Sequence, residues 1–308
     1  MARYWSQGFV KMKGRTMKRA CAIMLATIAL IITVPVLAQG SSEQGVETNK
    51  GRVAGSALDP ATRCGILRLP KCDRKFAVDR GFFETGLSTR FPENVKCHGK
   101  IDEWYAKDLS GRGPRVGEAH HGGIDIPAPF STPIIAVAAG VVVAKYNAEN
   151  SIRGIEIVLR HSPEETGAPF WVYTQYTHLS EMPGLEIGQR VRMGERIGLT
   201  GNSGTGTIAA QAQGKKGARP ALHFGVHYST SGQYAEIRAP FPFEAIVPVD
   251  GYWMDPVALF RKMPPFDSAS MKALPDAEKQ VSVSIMFEDG ETLPAKQKIV
   301  WPYTCTRT

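Results

Sequence analysis

Between residues 118 and 260 the hydrophobic positions fall in short runs separated by glycine and other turn formers. Pro133 to Val137, Val141 to Tyr146, Ile155 to Leu159 and Phe170 to Tyr176 are rich in β-branched and aromatic residues, the composition of strands rather than helices. Gly188-Gln189-Arg190-Val191 and Gly194-Glu195-Arg196-Ile197-Gly198 repeat the scheme with tight turns between them. No window here keeps an apolar period of 3.6 residues, so the pattern predicts an all-β domain of packed antiparallel strands. Asp255 to Phe260 reads as a short closing helical turn. Beyond it Pro264-Pro265 breaks the chain, and Gln280 to Phe287 and Lys298 to Trp301 read as two strands of a hairpin around Glu288-Asp289-Gly290.

The amino-terminal pattern is different. Ala20 to Ala38 carries no charge, and the residues before it hold Arg3, Lys11, Lys13, Arg15, Lys18 and Arg19 with no acid. A basic start, an apolar stretch and Val36-Leu37-Ala38 before Gln39 read as a secretory signal over residues 1–38, cleaved after Ala38. The alternative is an uncleaved membrane anchor. Residues 39–60, rich in Gly, Ser, Glu and Gln, read as a linker. Residues 61–117 form a cysteine-bearing extension of no evident shape, either a prodomain-like cap or a segment packed on the main domain. The main domain then spans 118–262 and a tail 263–308.

Charge and cysteine usage refine this picture. The chain of 308 residues has a net charge of +8, and six of those charges lie in the signal, so the basic balance points to no nucleic-acid partner. Of five cysteines, Cys21 belongs to the signal. Cys64, Cys72, Cys97 and Cys305 remain, an even set that in an exported chain suggests two disulfides. Three pairings are open. Cys64 with Cys72 and Cys97 with Cys305 is the preferred one, because it closes a short local loop and ties the tail to the extension.

The candidate chemistry begins at His120-His121-Gly122-Gly123-Ile124-Asp125-Ile126. On an extended strand residues four apart share a face, so His121 and Asp125 present an imidazole and a carboxylate together. A third candidate ligand, His223, lies in Leu222-His223-Phe224. Two histidines and one carboxylate make the donor set of a catalytic zinc, with one position left for water. Gly122, Gly123, Gly198 and Gly201 lack the strand–glycine–helix context of a nucleotide site.

With Tyr176-Thr177-His178-Leu179 and the run Gly188 to Gly201 between them, these motifs stand in an order that resembles the lysostaphin/LytM-type zinc metalloendopeptidases, exported enzymes that cut peptide cross-links of peptidoglycan. The resemblance covers residues 118–260. It implies an antiparallel β-sandwich with a barrel-sandwich-like core of the duplicated hybrid type, Zn2+ on His121, Asp125 and His223, and an assisting catalytic role for His178. It also implies a periplasmic or cell-envelope location and peptidoglycan as partner. Where the family has the first histidine of H-x-H, this chain has Ala221, which handles no proton. Losing a positioned acid or base typically costs ~10²–10⁴ in rate. An impaired enzyme is therefore expected, with a non-catalytic wall-binding module or activator of a partner hydrolase as the alternative. His227, on the same strand face as His223, is the nearest substitute, although about 12–14 Å of extended chain separates the two. His120 points away from His121, and His98 and His161 read as surface residues. The stretch Gly201 to Pro220 should wall the groove, with Lys215 and Lys216 available to acidic stem peptides.

Overall fold

The structure, a computed structural model, describes residues 50–69, 71–109, 120–148, 153–204, 219–238 and 244–308. The signal, most of the linker, and Lys215 and Lys216 lie outside the described residues. In chain order the elements are β1 (Arg52–Val53), α1 (Pro60–Leu67), α2 (Lys75–Asp79), β2 (Ser88–Arg90), β3 (Val95–Lys96), β4 (Ile124–Pro127), β5 (Pro133–Ile135), β6 (Gly140–Tyr146), β7 (Ile155–His161), α3 (Pro163–Thr166), β8 (Trp171–Leu179), β9 (Arg190–Val191), β10 (Arg196–Leu199), β11 (Ala221–Ser229), β12 (Tyr234–Arg238), β13 (Glu244–Pro248) and β14 (Tyr252–Met254). A 3-10 turn (Pro256–Phe260), β15 (Gln280–Ser282), β16 (Ile285–Met286), β17 (Thr292–Leu293) and β18 (Thr306–Arg307) follow. The fold is all-β with small helical additions, and each strand run expected between Pro133 and Gly198 is present.

A seven-stranded sheet in the order β14-β11-β8-β7-β6-β9, with β4 also on β11, carries the domain. Its pairings are antiparallel. β4 and β14 share one edge of β11, the first beside Ala221 to Phe224 and the second beside Val226 to Tyr228. On one side Val143, Val158 and Tyr173 pack against Tyr234 and Ile246 of the β1-β12-β13 sheet. The larger core gathers Ile124, Ile126, Ile157, Leu159, Tyr176 and Phe224. Burying each such side chain contributes about 1.5–3 kcal/mol, which holds β4, β8 and β11 in one register.

The extension packs directly on this core. Asp59 caps α1 by accepting from the Thr62 amide at 2.9 Å, and the helix ends at Arg68 in the left-handed region. Trp253 of β14 donates to the Gly65 carbonyl at 3.0 Å, and Phe82 packs on Tyr105 and Trp253. The disulfides are Cys64–Cys72 and Cys97–Cys305, as preferred from the sequence. Part of the stretch read as linker is ordered too, because β1 pairs in parallel with β12.

The tail differs from the expected hairpin. β16 does turn back through Glu288-Asp289-Gly290, but its partner is β17 and not Lys298 to Trp301. The latter stretch forms no strand because its backbone is used elsewhere. The Val300 amide donates to the Val137 carbonyl, the Pro302 carbonyl accepts from Ile135, and Trp301 is fully buried with its indole donating to the His98 carbonyl at 2.7 Å. β15 and β18 add to β2 and β3 of the extension.

Candidate metal centre

Pairing of β4 with β11 sets Asp125 directly opposite His223, and His223 opposite Thr177 of β8. A bridge from Glu103 to Asp125 extends this row into the extension. Directly opposed residues share a face, so Glu103, Asp125, His223 and Thr177 line one surface. His121 enters from the turn before β4. Its Nε2 lies 3.1 Å from Asp125 Oδ1 and 2.9 Å from His223 Nδ1, and His223 Nδ1 is 3.0 Å from the same carboxylate oxygen. Donor atoms of a tetrahedral zinc at 2.0–2.1 Å stand about 3.3 Å apart, so the three atoms fit one such ion. Among the described residues these three form the group able to hold a metal.

The tautomers agree with that use. His121 Nδ1 donates to the Trp104 carbonyl at 3.2 Å, which leaves Nε2 with a free lone pair facing the group. Burial draws the His223 imidazole down to about 4 despite the Asp125 hydrogen bond, so the ring stays neutral. Burial pushes the Asp125 carboxyl up, but the close approach of the polar His121 and His223 rings to it outweighs burial and holds the group well below its ordinary value. Gly123 makes the approach of β4 to β11 feasible, since a Cβ there would stand 2.4 Å from the Phe224 carbonyl oxygen and 2.9 Å from His223 Nε2.

His178 reaches the centre by an irregularity. Ile157 opposes Tyr176 and Ile155 opposes Leu179, so Thr177 and His178 together face one residue of β7, a β-bulge. His178 has a φ of 65°, a conformation that costs a side chain of this size and clusters at functional sites. Its Nδ1 donates to the Ser203 carbonyl at 2.8 Å, and its ring centroid lies 5.7 Å from that of His223. Burial lowers its pKa against the pull of Asp125.

The extension supplies contacts that sequence reasoning did not find. The His121 amide and carbonyl bond to Lys107 and Ala106, and the Asp125 amide and carbonyl to Glu103 and Asp102. Arg68, held between Phe82 and Trp253, donates to the His120 carbonyl at 2.7 Å, and Arg74 donates to His120 Nε2. Asp102 pairs with Arg219 at 2.5 Å, beside the start of β11. The signal for these partners in the sequence is confined to aromatic and charged residues scattered through 68–108.

Two other histidines stand apart from the triad. His227 is buried against Trp253, with ring centroids 4.2 Å apart, and accepts from Gln175 at 3.4 Å. Gln175 and the Gly122 carbonyl close over Gly225, the position between His223 and His227, so His227 is walled off from the group. His161, expected at the surface, is fully buried and bonds Ala139 and Thr174; strand β7 is covered on both faces, which its short apolar run did not reveal. Ala221 is buried opposite Pro127, and its amide donates to Gly201.

The family model of peptidase family M23 matches residues 119–235. An uncharacterized metalloprotease of Buchnera aphidicola is 36% identical over 88 residues, 28% of this chain and 20% of that protein. Peptidoglycan DD-endopeptidase ShyA of Vibrio cholerae is 36% identical over 86 residues, 28% of this chain and 18% of its own length. The matched stretch thus spans a fifth or less of these curated relatives. Among solved structures, the catalytic domain of the antimicrobial peptidase lysostaphin from Staphylococcus simulans is 24% identical with a TM-score of 0.32, covering 43% of this chain and 84% of that one.

Proposed function

We propose, on the premise that residues 119–235 carry a peptidase family M23 domain, that this chain is an exported zinc metalloendopeptidase that hydrolyses peptide cross-links of bacterial peptidoglycan. The observation that carries the reading is the approach of His121 Nε2, Asp125 Oδ1 and His223 Nδ1 to within 3.1 Å of one another. The name of the Vibrio cholerae relative supports the substrate class, and the basic and apolar leader over residues 1–38 supports export to the envelope.

When bound, zinc polarises a scissile carbonyl and brings the pKa of a water toward neutrality. The chain's own groups do the remaining work. The Trp104 carbonyl accepts a hydrogen bond from His121 Nδ1–H and so fixes the lone pair at Nε2. Ser203 does the same for His178, so the neutral His178 ring keeps an Nε2 acceptor to receive a proton from the attacking water. At position 221 the family resemblance calls for a second histidine in this task, and the Ala221 methyl cannot perform it. Turnover is accordingly slow, with His178 the acceptor that remains.

Ala221 also favours a second reading, a wall-binding module that keeps the fold and metal and activates a partner hydrolase. Digestion of cross-linked peptidoglycan separates the two. The endopeptidase reading expects new amine termini from the wild type, a rise of ~10²-fold or more in Ala221→His, and none from Asp125→Ala. If neither wild type nor Ala221→His releases product, the non-catalytic reading stands instead.

A further inference from the structure

At the far end of β8 from His178, a cavity of about 320 Å³ opens between the turn after α3, the 3-10 turn and the tail. Phe170 at its wall precedes His178 by eight positions along the chain, roughly 26 Å at 3.3 Å per residue. The volume lies at the lower end of the range of small-ligand sites.

Its chemistry is one-sided. Arg261, Lys262, Lys296 and Lys298 line it, and no acidic residue does. Arg261 donates to the carbonyls of Pro265 and Glu278 at 3.1 and 3.2 Å, and Lys298 to that of Glu164 at 2.7 Å. Neutral carbonyls orient these cations and leave their charge in place. Lys262 and Lys296 are exposed at the rim. Outside the lining, hydrogen bonding from Ser162 and then the Lys298 charge hold the exposed Glu164 carboxyl below its ordinary value. The apolar wall is Phe170 against Phe266, edge to face at 5.3 Å. Four cations lining one cavity beside an aromatic wall call for a ligand with several carboxylates and an apolar part.

We propose that this cavity is a second binding site, for a short acidic peptide. Its source in the envelope, a stem peptide of the wall polymer, rests on the function proposed above; its chemistry rests on the cavity alone. A polymer held here is tethered to the molecule that carries the metal centre, which raises the local concentration of its cross-links there.

The test is calorimetric titration of the full chain with a soluble, uncross-linked stem peptide carrying free carboxylates. The same peptide with its carboxylates amidated and phosphatidylglycerol vesicles serve as comparisons. The proposal expects binding that weakens with added salt, and a loss of about tenfold, or 1.4 kcal/mol, on amidation. The same loss is expected in the double variant Lys262→Gln with Lys296→Gln, whose exposed side chains carry no structural bond. Asp125→Ala should bind within about twofold of wild type. Absence of binding, equal binding by the amidated peptide or the double variant, loss of binding in Asp125→Ala, or capture by vesicles in place of peptide would each overturn it. Intact peptidoglycan after digestion, with the peptide still bound, defeats the endopeptidase reading alone.

Discussion

His161 contributes to stability through its burial and takes no part in the metal centre. Its imidazole bonds Ala139 and Thr174, and burial holds its pKa down to about 4. A histidine with a folded pKa below its unfolded value near 6.5 adds stability that is present above pH 6.5 and is lost as pH falls through 4. Denaturant titrations of wild type and His161→Gln should therefore diverge, the wild type losing on the order of 3 kcal/mol relative to the variant between pH 7 and pH 4. A difference that stays flat over that range contradicts the assignment. At this scale the sequence was legible where strand period applies. Residues 121, 125 and 223 could be picked out by type and order, although His121 reaches the group from the turn before β4 and not along a strand face as expected, whereas the bulge that turns His178 toward them depends on pairing with β7 and leaves no trace in the residues themselves. The environment of His161 was hidden for a related reason, since covering both faces of β7 takes distant segments.

Among the elements, the stretch 102–108 has the clearest consequence. It bridges to His120 and Asp125 along the edge of β4, so the metal motif is covered on that side and not left at a free edge. Arg68 fixes the same turn from α1 through the His120 carbonyl, and a Cβ at Gly122 would stand 2.8 Å from its guanidinium. Outer partners of this kind typically govern metal affinity by 10–100-fold. Arg68→Met should thus release zinc to a competing chelator at least about tenfold more readily than wild type, with Arg68→Lys in between. Equal affinity in all three would mean that the turn holds itself. No composition or periodicity in 61–117 announced this role, because two isolated bridges and single contacts from α1 carry it. The expected strands of the core, by contrast, were visible in their own β-branched runs.

Over the whole molecule, extension and tail close on the domain from both ends of the sequence. The disulfide Cys97–Cys305 spans 208 residues, β18 pairs with β3, and Trp301 is wedged between Phe91 and Phe260. Replacing both cysteines by serine should lower unfolding free energy by about 2–5 kcal/mol, as for loss of other native disulfides, while metal content is unchanged. Loss of zinc in that variant would show that the closure also shapes the centre. The even cysteine count made two disulfides readable and loop closure favoured the pairing found, but the path of the tail was not readable: Lys298 to Trp301 resembles a strand and is used as a strap whose Val300 and Trp301 are buried. Among the described residues no helix is long and apolar enough to cross a membrane. The claim on which the molecular account turns is that His121, Asp125 and His223 hold one zinc ion, and metal analysis of the purified full chain tests it directly. One zinc per chain is predicted, retained in Ala221→His and lost in Asp125→Ala and in His223→Ala; a wild type that takes up no zinc, or an Asp125→Ala variant that keeps it, contradicts the account.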